Sequence, residues 1–361
     1  MSDFIQNGEK IIQGLIAQAK QQGKTNVVIS GNYMISDTII IPSDTTLVLQ
    51  DCHLRLADNT FCNIFRNAVC YDTENRTTQN ADKNIKIIGI GKAILDGGNY
   101  NGLSERNCCK EGRPHIYVNN ILLFSNVEGI EIRDIKITNQ RYWALNFIYC
   151  RYAYIGNIEF IGDYQRYDEN HNLVKGLIKG PNDCCMTQIV NADGIDLRVG
   201  CHDFTIENIS GFTEDDTVAL TALPNNETEK FSVENESVDI YNVTIRNIVT
   251  SCFCASVRLL NQGGARLYNV LIDGVRDASL DTRYYVGRGS ATIRIGDEHM
   301  YGTRHSYKDE TFNVIIRNVF TRAGKGLALA GEMTNVVYEN VFGFDNCPLL
   351  VDDEKAKIYK K

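Results

Sequence analysis

A phrase of alternating apolar and polar residues recurs along this chain, and it constrains the fold more than any other feature. It reads GIEIRDI at 129–135, YIGNI at 154–158, FTIENI at 204–209 and VTIRNI at 243–248. It returns as VLIDGV at 270–275, VIIRNV at 314–319 and VVYENV at 336–341. Alternation at period two marks a strand with one buried face. A lone strand of this kind has nothing to bury that face against. Stacked end on end, such units give each strand a parallel neighbour and enclose one continuous core. The closing residues are Ile135, Ile158, Ile209, Ile248, Val275, Val319 and Val341, so the steps are 23, 51, 39, 27, 44 and 22 residues. A unit of 22 to 27 residues accounts for the short steps. The step of 51 is expected to hold two units, and those of 39 and 44 one or two with a loop inserted or trimmed. The Asn or Asp before the last apolar residue falls where the strand turns, and stacked Asn side chains there would form a ladder. The expected architecture is therefore all-β, a parallel β-helix. A sandwich or propeller would need hairpin turns such as Asn-Gly, which are scarce between these strands.

Ahead of the repeat, Phe4, Ile5, Ile11, Ile12, Leu15, Ile16 and Ala19 recur at helical spacing, and Gly23 ends the run. Residues 1–23 are read as a capping α-helix over the open end of the coil, where a bare strand edge would invite aggregation. Residues 24–361 are read as coils with inserted loops, and 1–361 as a single domain. With 361 residues at 43% hydrophobic composition, the chain can bury a large core. Only 5 Pro and no Gly/Ser tract leave nothing to serve as a linker.

A net charge of -8 argues against a nucleic-acid partner, which would call for a basic patch. No run of about 18 apolar residues is present, so no membrane helix is expected. The start of the chain lacks a basic segment followed by an apolar one, so no signal peptide is read there. The 12 Cys show no disulfide or zinc spacing. Reduced, buried thiols and a cytoplasmic location are the expectation.

The order of phrases resembles the polygalacturonase-like glycoside hydrolases of family 28. The stretch VVISGNYMISDTIIIPSDTTLVLQDCHLRL at 27–56 looks like that family's opening strands, and NIKIIGIGKAILDGGN at 84–99 like its I-x-G-x-G-x-I-D-G turn. After Arg113-Pro114, the segment NILLFSNVEGIEIRDIKITNQRYWALNF resembles the stretch that ends in the family's Pro-x-Trp. NADGIDLRVGCHDFTIENISGFTEDDTVAL resembles its N-T-D-G-I-D…D-D-x-I-A stretch. The likeness runs from about residue 25 to 300, and it implies a right-handed β-helix.

Glycoside hydrolysis needs two carboxyl groups across the scissile bond, one to protonate the leaving oxygen and one to activate water or attack. Asp193 lies 22 residues before Asp215 and 23 before Asp216, which is one unit of the repeat. The three carboxylates should therefore sit on neighbouring coils at equivalent places. Gathered so closely they repel, and at least one pKa should rise. The resemblance implies Asp215 as general acid, Asp193 and Asp216 as the pair that activates water, and inversion at the anomeric carbon. It implies an orienting role for Asn191. Asp196 belongs to the same phrase, but strand alternation leaves its facing open. Ordinary turn aspartates are the competing reading of all these residues.

The family's Gly-His-Gly is absent, and SCFCASVRLL at 251–260, with Cys254 or its neighbours, takes that place. The family's Arg-Ile-Lys, which would bind a uronate carboxylate, has two imperfect counterparts, Val257-Arg258-Leu259 and Ile293-Arg294-Ile295-Gly296. Arg258 and Arg294 either meet substrate or pair with a neighbouring Asp. Trp143, with Tyr142 beside it, is either a sugar platform or a packed aromatic. Insertions at 163–188, 224–237 and 296–311 are expected to wall a cleft. The leading expectation is a hydrolase acting on a carbohydrate, with no metal and no cofactor. A Ca²⁺-dependent lyase or epimerase and a non-catalytic carbohydrate-binding β-helix are the alternatives. Oligomeric state is not legible.

Overall fold

The computed structural model describes residues 4–58, 60–72, 74, 76–98, 120–140, 143–161, 166–167, 173–174, 193–279, 290–296, 304–344, 347 and 349–360. Among these, 19 strands join one parallel sheet that winds around a common core, and a two-stranded ribbon stands apart. The repeated phrases stack in register. Ile135, Ile158, Ile209, Ile248, Val275, Val319 and Val341 face one another from coil to coil. One cluster of buried side chains runs from Ile12 to Val336.

The register corrects the expected coil count. Ile158 pairs directly with Ile209, so the step of 51 residues is one coil carrying a long insertion, not two units. The steps of 39 and 44 are likewise single coils, since Ile209 pairs with Ile248 and Val275 with Val319. A loop on a rigid coil can grow without disturbing the ladder, because closing a longer loop costs little extra entropy.

Asparagine closes the corner of five of the seven phrases, with Asp134 and Gly274 in the other two. Asn157, Asn208, Asn247, Asn318 and Asn340 adopt left-handed backbone geometry, which Asn tolerates better than other non-glycine residues. Their amides donate from coil to coil: Asn157 to Asp134 (2.8 Å), Asn208 to Asn157 (3.0 Å) and Asn247 to Asn208 (2.7 Å). A second ladder, which the sequence reading missed, runs at the start of the same phrases. Asn242 donates to Asp203, Asn269 to Asn242, Asn313 to Asn269 and Asn335 to Asn313, each at 3.1 Å. Its signal was the Asn-Val that opens YNVTIRNI, YNVLIDGV, FNVIIRNV and TNVVYENV.

The N-terminal helix spans Gly8–Gln21 and packs Ile12 and Ile16 against the first coil. It also satisfies the open strand edge. The Gln13 side chain donates to the Ile40 carbonyl (3.0 Å) and accepts from its N–H (2.9 Å), and a Glu9 oxygen accepts from the Ser36 N–H (3.1 Å). Phe4 and Ile5, counted as helical from the sequence, are not. Ile5 forms a bridge to Tyr33, because its N–H and carbonyl complete the edge at Asn32 and Met34. No described helix is long and apolar enough to cross a membrane.

Candidate active site

The carboxylates come together because equivalent turns stack. Ile195–Leu197 pairs with Val218–Ala222 in the register Ile195 to Val218, which sets Asp193 opposite Asp216. The Asp216 N–H donates to Asp193 Oδ1 at 3.0 Å, and the Gly194 N–H to the Asp216 carbonyl at 3.0 Å. From the next coil, the Ala255 N–H donates to Asp216 Oδ1 at 2.9 Å. A hydroxyl chain holds the turn below: Thr217 lies 3.0 Å from Thr213 and donates to Thr250 at 3.1 Å. Asp193 and Asp216 are buried, whereas Asp215 is half-buried.

Val218 pairs with Val257, so Cys254 stands opposite Asp215, in the place where the resemblance expects a histidine. The ligand atoms of Asp215, Asp216 and Cys254 lie within 4.8 Å of one another. Burial, then the charges of Asp216 and Asp215, push the Cys254 thiol well above its ordinary value. It therefore stays protonated near neutral pH and donates a hydrogen bond to Asp216.

A carboxyl pKa does rise, at Asp216, but burial is its leading cause where repulsion among the carboxylates was expected. Burial raises it, and the Arg258 guanidinium, a hydrogen bond from Cys254 and the charge of Arg294 offset this only in part. Arg258 is buried, with Nε 3.7 Å from Asp216 Oδ2 and Nη1 3.6 Å from Cys254 Sγ. Of its two alternatives, the structure shows the Asp pairing. Arg294 stacks on Arg258 in register, one coil on, and is half-buried. Gly296, two residues on, leaves no room for a side chain. Its φ is +74°, and a Cβ would lie 2.0 Å from the Ala330 carbonyl oxygen.

Trp143 is 9% exposed and packs with Leu123, Ile148, Tyr149, Val199 and Phe231. Arg198 lies over its ring at 3.4 Å and also pairs with Asp196 at 2.9 Å. Of the two readings of Trp143, the structure shows the packed aromatic, because its face is already covered. Asp196 is fully buried under the same Arg198. Asn191 and Tyr142 lie outside the described residues, as does most of the 163–188 insertion. The 224–237 insertion folds back through Phe231 and Val233 onto the cluster around Trp143.

No protein-family model matches the chain, and no curated protein matches it in sequence. Solved structures do match. The chain superposes on the hyperthermoactive exopolygalacturonase of Thermotoga maritima with a TM-score of 0.55 at 14% identity, covering 96% of this chain and 88% of that one. The polygalacturonase of Erwinia carotovora ssp. carotovora gives 0.56 at 12% identity, covering 99% and 95%. An iota-carrageenase solved with iota-carrageenan fragments gives 0.56 at 10%, covering 100% and 88%. The fold is thus the right-handed parallel β-helix. Its structural neighbours include polygalacturonases and other parallel β-helix glycosidases.

Proposed function

We propose that this protein is a glycoside hydrolase that cleaves an oligo- or polysaccharide through Asp193, Asp215 and Asp216. The observation that carries the reading is the convergence of three carboxyl groups from two adjacent turns, with the proton affinity of the most buried one raised. Asp215, the most accessible of the three, protonates the leaving oxygen. Asp193 and Asp216 accept the proton of the attacking water, and Arg258 and the Cys254 thiol steady the charge on Asp216. The product inverts at the anomeric carbon. An oxygen of Asp215 and one of Asp216 lie within 4.8 Å, closer than the about 6.5–9.5 Å of most inverting pairs, so the first-formed anomer is the measurement that decides inversion. Asn191 orients the neighbouring carboxylate.

The test is turnover of a panel of galacturonides, sulfated galactans and neutral oligosaccharides in EDTA, by wild type and Asp215→Asn, with the first-formed anomer read by NMR. Turnover that EDTA spares and Asp215→Asn abolishes supports the reading, and a retained anomer overturns inversion. Turnover that needs added Ca²⁺ and yields an unsaturated product would instead mark a lyase. The chain is proposed to act in the cytoplasm, since the eight described cysteines are all free thiols. Fractionation of the native source checks this.

A further inference from the structure

Between the two asparagine ladders the solenoid presents a flat face away from the carboxylates. Each coil turns two side chains outward there, because Val243 and Ile245, and their partners in the next two coils, point into the core. In the early coils the first outward column holds Lys86, Glu131, Tyr154 and Thr205, with Lys86 and Glu131 ion-paired at 2.8 Å. Further along the same column, Thr244 pairs in register with Leu271, Leu271 with Ile315, and Ile315 with Val337. Leu271 is half-buried, but Ile315 and Val337 are 46% and 54% exposed. Such an unbroken apolar row differs from the single apolar residues that any surface carries.

The second outward column of the same four coils is charged and alternates in sign: Arg246, Asp273, Arg317 and Glu339. Opposite charges on neighbouring strands stabilise one another, and Arg317 pairs with Asp273 at 2.8 Å. The column has a further property. Its end members, Arg246 and Glu339, are exposed and opposite in sign, so the column read backwards carries the opposite charge at every place. A two-fold axis along the strands, between Leu267–Asp277 and Thr311–Thr321, reverses the coil order but keeps each column in its place across the face. Arg246 then meets Glu339 of a second copy, and Asp273 meets Arg317. The apolar column also meets itself, Leu271 against Ile315 and Thr244 against Val337. A two-fold along the solenoid axis would instead lay the apolar column on the charged one.

We propose that this face joins two copies of the chain side by side, with their coils running in opposite directions. The apolar column supplies contact, and the charged column fixes the orientation. Four coils at about 4.8 Å and four residues at about 3.3 Å give about 250 Å² per copy, well under the about 800 Å² of a standard interface, so the dimer is weak and reversible. The face lies on strands that carry none of Asp193, Asp215, Asp216 or Arg258, so it stands apart from the hydrolase reading.

Sedimentation equilibrium of the 361-residue chain, from micromolar to near-millimolar concentration and at low and high salt, measures the association. Wild type should dimerise reversibly, and more weakly at high salt. Ile315→Glu should weaken the dimer at least about tenfold, since it sets a charge against Leu271 of the second copy. Arg246→Glu and Glu339→Arg should each weaken self-association, because like charges then meet twice. A one-to-one mixture of those two variants should recover wild-type association, since one contact is then native and the other is charge-reversed. Thermal melting confirms that each variant is folded. A wild type that stays monomeric throughout, a dimer that Ile315→Glu spares, a mixture no tighter than its components, or a trimer overturns the proposal. Turnover per folded molecule should be equal in all variants, and its absence from every one would sink the hydrolase reading and leave the dimer standing.

Discussion

Two columns of this solenoid use the same stacking geometry to opposite ends. At the corner, Asn157, Asn208 and Asn247 repeat one residue type from coil to coil, and each amide satisfies the next. At the carboxylate face, register-equivalent places hold Asp193, Asp216 and Ala255, and the next column runs from Asp196 through Ala219 to two arginines. Repetition down a column means that neighbours solve one another's hydrogen bonding, so the column is about stability. Change down a column means that each coil sets a different group at the same place, so the column is about chemistry. The contrast extends to the aromatic stack of His202, Tyr241, Tyr268 and Phe312, with interplanar angles of 5°, 6° and 5°. Its rings cover one another's faces, and we assign it to stability.

This contrast can be broken by substitution, and the largest effect is expected on the chemical side. Asp215→Asn should lower turnover by about 10²–10⁴-fold while leaving the melting temperature within a degree or two. Part of the loss should return on an aryl glycoside whose leaving group needs no proton. A loss as large on the activated substrate would move the acid role to Asp216.

In the shared core, Ile206→Ala should cost about 2–5 kcal/mol of stability, since Ile206 is fully buried between Ile155 and Ile245. Denaturant unfolding measures it, and activity per folded molecule should hold. At the corner, Asn208→Ala removes two ladder bonds and puts alanine at φ 57°, for a cost of about 1–3 kcal/mol. Turnover by the folded fraction should not change. A specific loss of activity there would mean that the two columns are coupled.

The smallest effect, and the one with the sharpest sign, concerns Asp216. Its folded pKa lies above the unfolded value, so the native state binds more protons and stability falls as pH rises through that window. Asp216→Asn should therefore raise the melting temperature at pH 7, and the gain should shrink as pH drops below the ordinary carboxylate range. Its activity should be lost at every pH. A melting temperature that falls at pH 7 would show that the Arg258 pair outweighs the burial of the charge.

Much of this was legible because a solenoid writes its fold as repetition. Period-two alternation gave the strands, the residue before each closing apolar gave the corner ladder, and a step of one unit brought Asp193 to Asp215 and Asp216. Other features were not legible because they depend on register. Whether Ile158 meets Ile209 directly or through an intervening coil is invisible in a step of 51 residues, since loop length and coil number trade against each other. Whether Trp143 is a platform or a packed aromatic stays open in the sequence until Arg198 is seen over its ring.

The sequence by itself determined the coil, its capped start and the carboxylate set, because each rests on local periodicity or on one repeat of spacing. Only the tertiary structure decided which carboxyl has its pKa raised by burial, that Cys254 stands opposite Asp215, and that Lys355 rather than Glu354 meets Ala330. Those outcomes depend on desolvation and on a single bulge, and both arise only when coils distant in sequence are laid side by side.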